Sequence, residues 1–321
     1  MRRIFLSILL LATIAHAQSS LDDRRKSLAT LSTQYWDTVL ERSPEFASEI
    51  GDTRFNDKLT DYSPSTLNSW AAREQDYLLK LAAIDPAGFT PAETKAREDL
   101  MAQLANDIEA SGNHDWETPV NEDGGVFTQY ADLADQLPFA TVKDYDDWTA
   151  RLRALPDVID QNIANMGTGI ENHHVPQKAV LDSALTQIKQ IAESKPEDSP
   201  FATPLKHFPA SIAPVEQQRI QQQTIDAITK QVLPAYQRLF RFFTVSYLPA
   251  AGSAPASQPS DSPSPTLQSR KIEILTLRDK AEETLGPKFR LSAFHDALSG
   301  YAILPTTVLE DHINSWIQSQ K

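Results

Sequence analysis

TIDAITKQVLPAYQRLFRFFTVSY, residues 224–247, places Ile225, Ile228, Val232, Tyr236, Leu239, Phe243 and Tyr247 at steps of 3, 4, 4, 3, 4 and 4. That spacing puts all seven on one face of a helix, an apolar stripe wide enough to close a core. Pro234 lies inside the stripe. It has no backbone N–H to give, so a kink is predicted where the carbonyl four residues earlier loses its donor.

The same period extends in both directions. Upstream, Leu28, Leu31, Tyr35 and Val39 form one stripe, and Leu100, Leu104 and Ile108 another. Ser63 before Pro64 reads as an N-cap with proline in the first turn. Thr90-Pro91-Ala92-Glu93 has the spacing of a capping box, each end satisfying the other's amide. Tyr145, Trp148, Leu152 and Leu155 make a stripe that Pro156 is expected to break or kink before Val158, Ile159 and Ile163. Leu181, Ala184, Ile188 and Ile191 give one more. Downstream come Ile274 and Leu277, a stop at Gly286-Pro287, a short helix in SAFHDALSG, and a last helix with Leu309, Ile313 and Trp316. No alternating run of five or more residues occurs, so the chain reads as all-α: a multi-helical body with a C-terminal helical tail.

Body and tail are separated by AAGSAPASQPSDSPSPTLQS, residues 250–269, where Leu267 is the one large apolar side chain. Serine, proline and alanine at that density predict a disordered linker. At the other end, Arg2 and Arg3 precede the apolar run IFLSILLLATIA, and Ala15-His16-Ala17 forms a small-x-small site. This is the pattern of a signal peptide over residues 1–17, cleaved between Ala17 and Gln18. The apolar run is shorter than the roughly 20 residues a spanning helix needs. The predicted organisation is a signal peptide at 1–17, an N-terminal helical domain at 18–249, a linker at 250–269 and a tail at 270–321. The protein is expected to be exported to the periplasm or beyond, with no membrane attachment after cleavage.

The chain contains no cysteine, so no disulfide supports it in an oxidising compartment. Its formal charge is −13, and losing Arg2 and Arg3 makes it more negative still. Nucleic acid and anionic membranes both select basic surfaces, so neither is expected as a partner.

Chemistry-bearing residues are sparse. His173 and His174 sit together in ENHHVPQK, but neighbouring side chains point apart and no third ligand follows at helical spacing. His295-Asp296 superficially resembles a catalytic couple, yet consecutive helical residues diverge by about 100°, and a helix-surface or interface histidine is the plainer reading. Asp144 to Trp148 reads as the solvated side of an amphipathic helix. There is no G-x-S-x-G, G-x-G-x-x-G, P-loop or H-E-x-x-H. No catalytic, cofactor-binding or metal-ligating residue is assigned.

YWDTVLERSPEFASEIGDTRFNDKLTDYSP, beginning at Tyr35, resembles the opening of the bacterial family known as domain of unknown function 885. The resemblance runs through LPFATVKDYDDWTARLRALPDVIDQNIANMGTGI, PEDSPFATPLKHFPASI and VLPAYQRLFRFFTVSYLPAA, then resumes in ILTLRDKAEETLGPKFRLSAFHDALSGYAILPTTVLEDHINSWI. It implies a large helical, zinc-metallopeptidase-like protein with a deep cleft. In that family the zinc motif, H-E-x-x-P-G-H-H, lies in a central segment between the two matched portions. This sequence lacks that segment and carries the serine- and proline-rich bridge in its place. The resemblance therefore implies an internally truncated member, with zinc expected only in complete relatives.

The expectation is an exported, non-catalytic remnant, with a loosely attached tail and an exposed apolar groove that takes a peptide or a protein partner. The alternative is half of a zinc-dependent peptidase completed by a separately encoded segment; a third reading is a deletion product without function. The polar groups chosen as facing a surviving cleft wall are Asp52, Arg54, Asn56, Asp57 and Asp61 in GDTRFNDKLTD, Asn121 and Asp123 in PVNEDGG, and His295. Loop and cap duties explain most such residues equally well. Oligomeric state is not legible.

Overall fold

The computed structural model describes residues 19–121, 125–251, 267–304 and 306–321. The cleavage site at Ala17 and Gln18, Asp123, and residues 252–266 of the bridge lie outside these segments. Among the described residues every regular element is helical. In chain order they are α1 (Leu21–Arg42), α2 (Pro44–Glu49), α3 (Pro64–Ala82), α4 (Pro91–Ser111), α5 (Val126–Gln136), α6 (Val142–Glu171) and α7 (Lys178–Ala192). There follow α8 (Pro214–Ala227), α9 (Leu233–Phe242), α10 (Leu248–Ala251), α11 (Leu267–Leu285), α12 (Leu291–Leu298) and α13 (Thr306–Gln320). None of the described helices is long and apolar enough to cross a membrane.

Capping follows the sequence. Ser63 accepts a hydrogen bond from the Thr66 amide with Pro64 in the first turn of α3, and Thr90 and Glu93 form both halves of the box that opens α4. Thr141 and Asp144 form a second box at α6. Each cap removes one or two of the unsatisfied amides that a helix start leaves.

The prolines behave differently from one another. Pro156 does not break α6, which runs as one helix through it. Leu152, Leu155, Val158 and Ile159 around it are all buried, and their burial offsets the roughly 3 kcal/mol that an interior proline costs. In the stretch 224–247 the helix instead widens into π-turns at Ile228–Val232 and Phe243–Tyr247, in each case just ahead of a Leu-Pro pair, Leu233-Pro234 and Leu248-Pro249. The amide of Leu233 bonds the carbonyl of Ile228, and that of Leu248 the carbonyl of Phe243, so the wider turn re-satisfies part of the ladder that each proline interrupts. α8, α9 and α10 thus follow one another without a loop.

Two large cores form. In the first, α5, α6, α7 and the α8–α10 rod bury Phe127, Ile159, Leu181, Ile228, Tyr236 and Phe243 together. The second joins α1–α4 to α11–α13, with Leu28, Trp36, Leu100, Ile274, Phe294 and Ile313 in one cluster. These cores do not follow a division at residue 250. The loose tail expected from the sequence is corrected here: Ile274, Phe294, Leu309 and Ile313 have no exposed surface, and they supply part of the core in which α1 and α4 are buried. Helical periodicity shows which face is buried but not against which partner, and the partner lies more than 150 residues away in sequence.

Candidate functional site

The loop after α2 carries the site. Ile50 is the C-cap of α2, Gly51 takes φ +93°, and Asp52 then caps a 3₁₀ turn over Thr53–Phe55 through the Arg54 amide. Gly51 is needed on two counts. Its backbone lies where L side chains are rarely found, and a Cβ there would sit 3.2 Å from the Leu291 side chain of α12. α12 can therefore approach closely enough for the His295 Nε2 to lie 3.1 Å from the Ile50 carbonyl oxygen.

Between these pieces opens a cleft of about 480 Å³. Trp36, Leu40, Ile50 and Leu298 are its buried apolar residues, while Asp37, Asp52, Arg54, Ser292, His295 and Asp296 supply polar groups. The Arg54 guanidinium donates from Nε to both Asp52 oxygens, at 3.1 and 3.0 Å, and from Nη2 to Oδ2 at 2.7 Å. Its Nη1 reaches Asp37 at 3.0 Å. Burial alone would raise the Asp52 carboxyl, but the side-chain and backbone hydrogen bonds from Arg54 outweigh it and hold the group below the usual carboxylate range. Asp52 is thus an anchored anion with both oxygens in use. It orients Arg54 and is poorly placed to take a proton from a substrate.

Of the residues chosen from sequence, Asp52, Arg54 and His295 meet at this cleft. The others lie elsewhere. Asn56 accepts from Ser48 Oγ at 2.6 Å, on the inner side of the loop. Asp57 is exposed. Asp61 accepts from the Ser63 amide and Thr66 hydroxyl at the start of α3; burial works against its charge, yet these bonds keep its carboxyl low. Asn121 accepts from the Gly125 amide at 2.8 Å, closing the turn into α5. The run at Asp144 is less solvated than its composition implies: Asp147 is buried against Lys143 at 2.6 Å, and Asp146 pairs with Arg219 at 2.8 Å.

Two polar centres were not legible in the sequence. Arg151, 1% exposed, reaches from α6 to the carbonyls of Lys58, Pro44 and Phe55 and to Ser48 Oγ, bracing the loop that carries Asp52 and Arg54. Glu117, fully buried, accepts from Asn172 at 2.8 Å and lies 2.9 and 2.8 Å from the Nδ1 atoms of His114 and His174. Burial pushes that carboxyl up, but these partners together carry it below its ordinary value. The only warning was the His173-His174 pair, whose backbone turns at His173 with φ +61°. Among the described residues no three or more His, Asp or Glu side chains form a group that could hold a metal ion.

Layered helices around two cores, with a cleft between the loop after α2 and α12, define the class to which the comparisons add a family. The family model "Bacterial protein of unknown function (DUF885)" matches residues 44–263, more than half of the chain, and the protein belongs to that family. The crystal structure of "the putative lipoprotein from Colwellia psychrerythraea" has a similar fold, with a TM-score of 0.65 at 16% sequence identity. The match covers 86% of this chain and 54% of the lipoprotein chain, so this protein spans about half of that structure's length. No functionally curated protein matches it.

Proposed function

We propose that the protein is an exported, non-catalytic member of the DUF885 family that binds a peptide or protein partner through the cleft between the Ile50–Arg54 loop and α12. The observation that carries this reading is the state of Asp52 and Arg54. The carboxylate is occupied by the guanidinium, which leaves a fixed recognition group beside the apolar residues of the cleft. Pockets of a few hundred Å³ with an apolar floor and few convergent polar groups are the usual form of a binding site. Export is supported by the leader pattern at residues 1–17 and fits the lipoprotein neighbour. Truncation relative to fuller relatives is supported by the absence of H-E-x-x-H and by the coverage of only 54% of that neighbour.

The same coverage also favours a second reading, a peptidase half completed by another polypeptide. An array of peptides screened for binding by fluorescence anisotropy distinguishes the two. Under the first reading the full chain alone binds a subset, Arg54→Ala weakens that binding at least tenfold, and every peptide remains intact. Binding that is indifferent to Arg54→Ala removes the cleft from the account, and cleavage that appears only when a second polypeptide is added supports the alternative.

A further inference from the structure

α3 places a carboxylate on its own core stripe. Trp70, Glu74, Tyr77 and Leu81 follow at steps of 4, 3 and 4, so the geometry that buries Trp70 and Leu81 buries Glu74 as well, to 2% exposure. Solvation lost there is poorly replaced. Oε1 has one contact, 3.3 Å from Arg42 Nη1 on α1, while Oε2 has no hydrogen-bond partner. Arg42 is divided between two tasks, because its guanidinium also lies 4.5 Å from the centre of the Trp70 ring, and the indole N–H of Trp70 is itself unpartnered.

The remaining ionisable groups facing this position come from the packed neighbours. α1 contributes Tyr35, whose hydroxyl is 3.4 Å from Asp107 Oδ2 on α4, and Asp107 acts on Glu74 as a second negative charge. Tyr62, half-buried in the loop before α3, also acts on Arg42. The balance is one partly exposed cation against two carboxylates and a carboxylate oxygen with nothing to bond. A buried, half-satisfied anion of this kind is costly, and its neutral form is much less so.

We propose that Glu74 is a proton-binding switch, protonated in the folded protein at mildly acidic pH and ionised above neutrality, that couples the packing of α3 on α1 and α4 to the pH of the surroundings. Burial, opposed by Arg42 and reinforced by Asp107, pushes this carboxyl from 4.5 up to about 7. The sign follows from the folded group binding its proton more tightly than the unfolded one. Folding is favoured most at low pH with respect to this group, and the advantage is lost as pH rises from about 4.5 through about 7. Across that window the folding equilibrium constant falls by on the order of a hundredfold on account of Glu74. Ionisation loosens the α3 face locally, since the added charge sits between three helices of the second core.

The test uses the full chain and Glu74→Gln, which keeps the shape and cannot ionise. Urea unfolding from pH 5 to 8 is expected to show the wild type losing stability relative to the variant by that factor. Hydrogen exchange over α3, normalised to the intrinsic rate at each pH, is expected to accelerate above pH 7 in the wild type alone. Parallel stability curves for the two proteins overturn the proposal. Should the variant fail to fold, ¹³C NMR of the Glu74 side-chain carboxyl in the wild type decides: a midpoint near 7 supports the switch, and one between 4 and 5 overturns it.

Discussion

Phe294→Ala tests whether the C-terminal helices are part of the molecule's core. Phe294 has no exposed surface, and its ring packs against Phe289, His295 and Trp316 at centroid distances of 6.1, 6.2 and 6.0 Å. Removing a buried phenylalanine ring costs about 3–5 kcal/mol, the lost transfer energy plus the cavity left behind. Net stabilities are about 5–15 kcal/mol, so a large part of the whole is at stake. With a urea slope of about 3 kcal/mol per molar, the midpoint drops by about 1 M or more. Because Phe294 shares one cluster with Trp36, Leu40 and Leu100, the loss must be felt in α1 and α4 as well as in α12. Hydrogen exchange with peptide resolution locates it: protection is expected to fall together over residues 28–104 and 270–317. If residues 270–317 lose protection while 28–104 keep theirs, the tail is an independent appendage and the reasoning is wrong.

Three further outcomes are expected. Arg151→Met takes the buried donor from the Lys58 carbonyl and one of two donors from those of Pro44 and Phe55, so it should cost about 2 kcal/mol in urea unfolding and expose residues 53–60 to early proteolysis. Asp52, held low by Arg54, contributes stability above the ordinary carboxylate range that is lost as pH falls through its folded value. Arg54→Ala should therefore flatten the acid limb below the ordinary carboxylate range, read from urea midpoints. Gly169→Ala places a Cβ 2.7 Å from the carbonyl oxygens of both Glu117 and His174. It should cost about 1–3 kcal/mol and shift the His174 ring resonances by NMR.

Fold class was legible because the stripes are long and the caps are local. Ser63 caps through Thr66 and Thr90 through Glu93, three residues apart in each case, which is the range over which sequence alone decides geometry. The cleft was legible only in part. Asp52 and Arg54 share one turn, but His295 joins them across 245 residues counted from Ile50, its contact. Arg151 and Glu74 escaped notice for a different reason. Periodicity assigns charged residues to the solvent side, whereas these two sit on buried stripes beside Leu152 and Trp70. Glu117 escaped because two of its three partners, His174 and Asn172, lie 57 and 55 residues away. Pro156 does not break α6 for an energetic reason, since the apolar contacts on both sides of it outweigh the hydrogen bond it removes.

The most direct measurement is made on the purified full chain: zinc content by mass spectrometry of the metal, and the fate of a defined peptide pool incubated with it in the presence and absence of added zinc. The account predicts substoichiometric zinc and an uncut pool from which some peptides are retained by the protein. One tightly held zinc per chain, with peptide cleavage that a chelator abolishes, would contradict it.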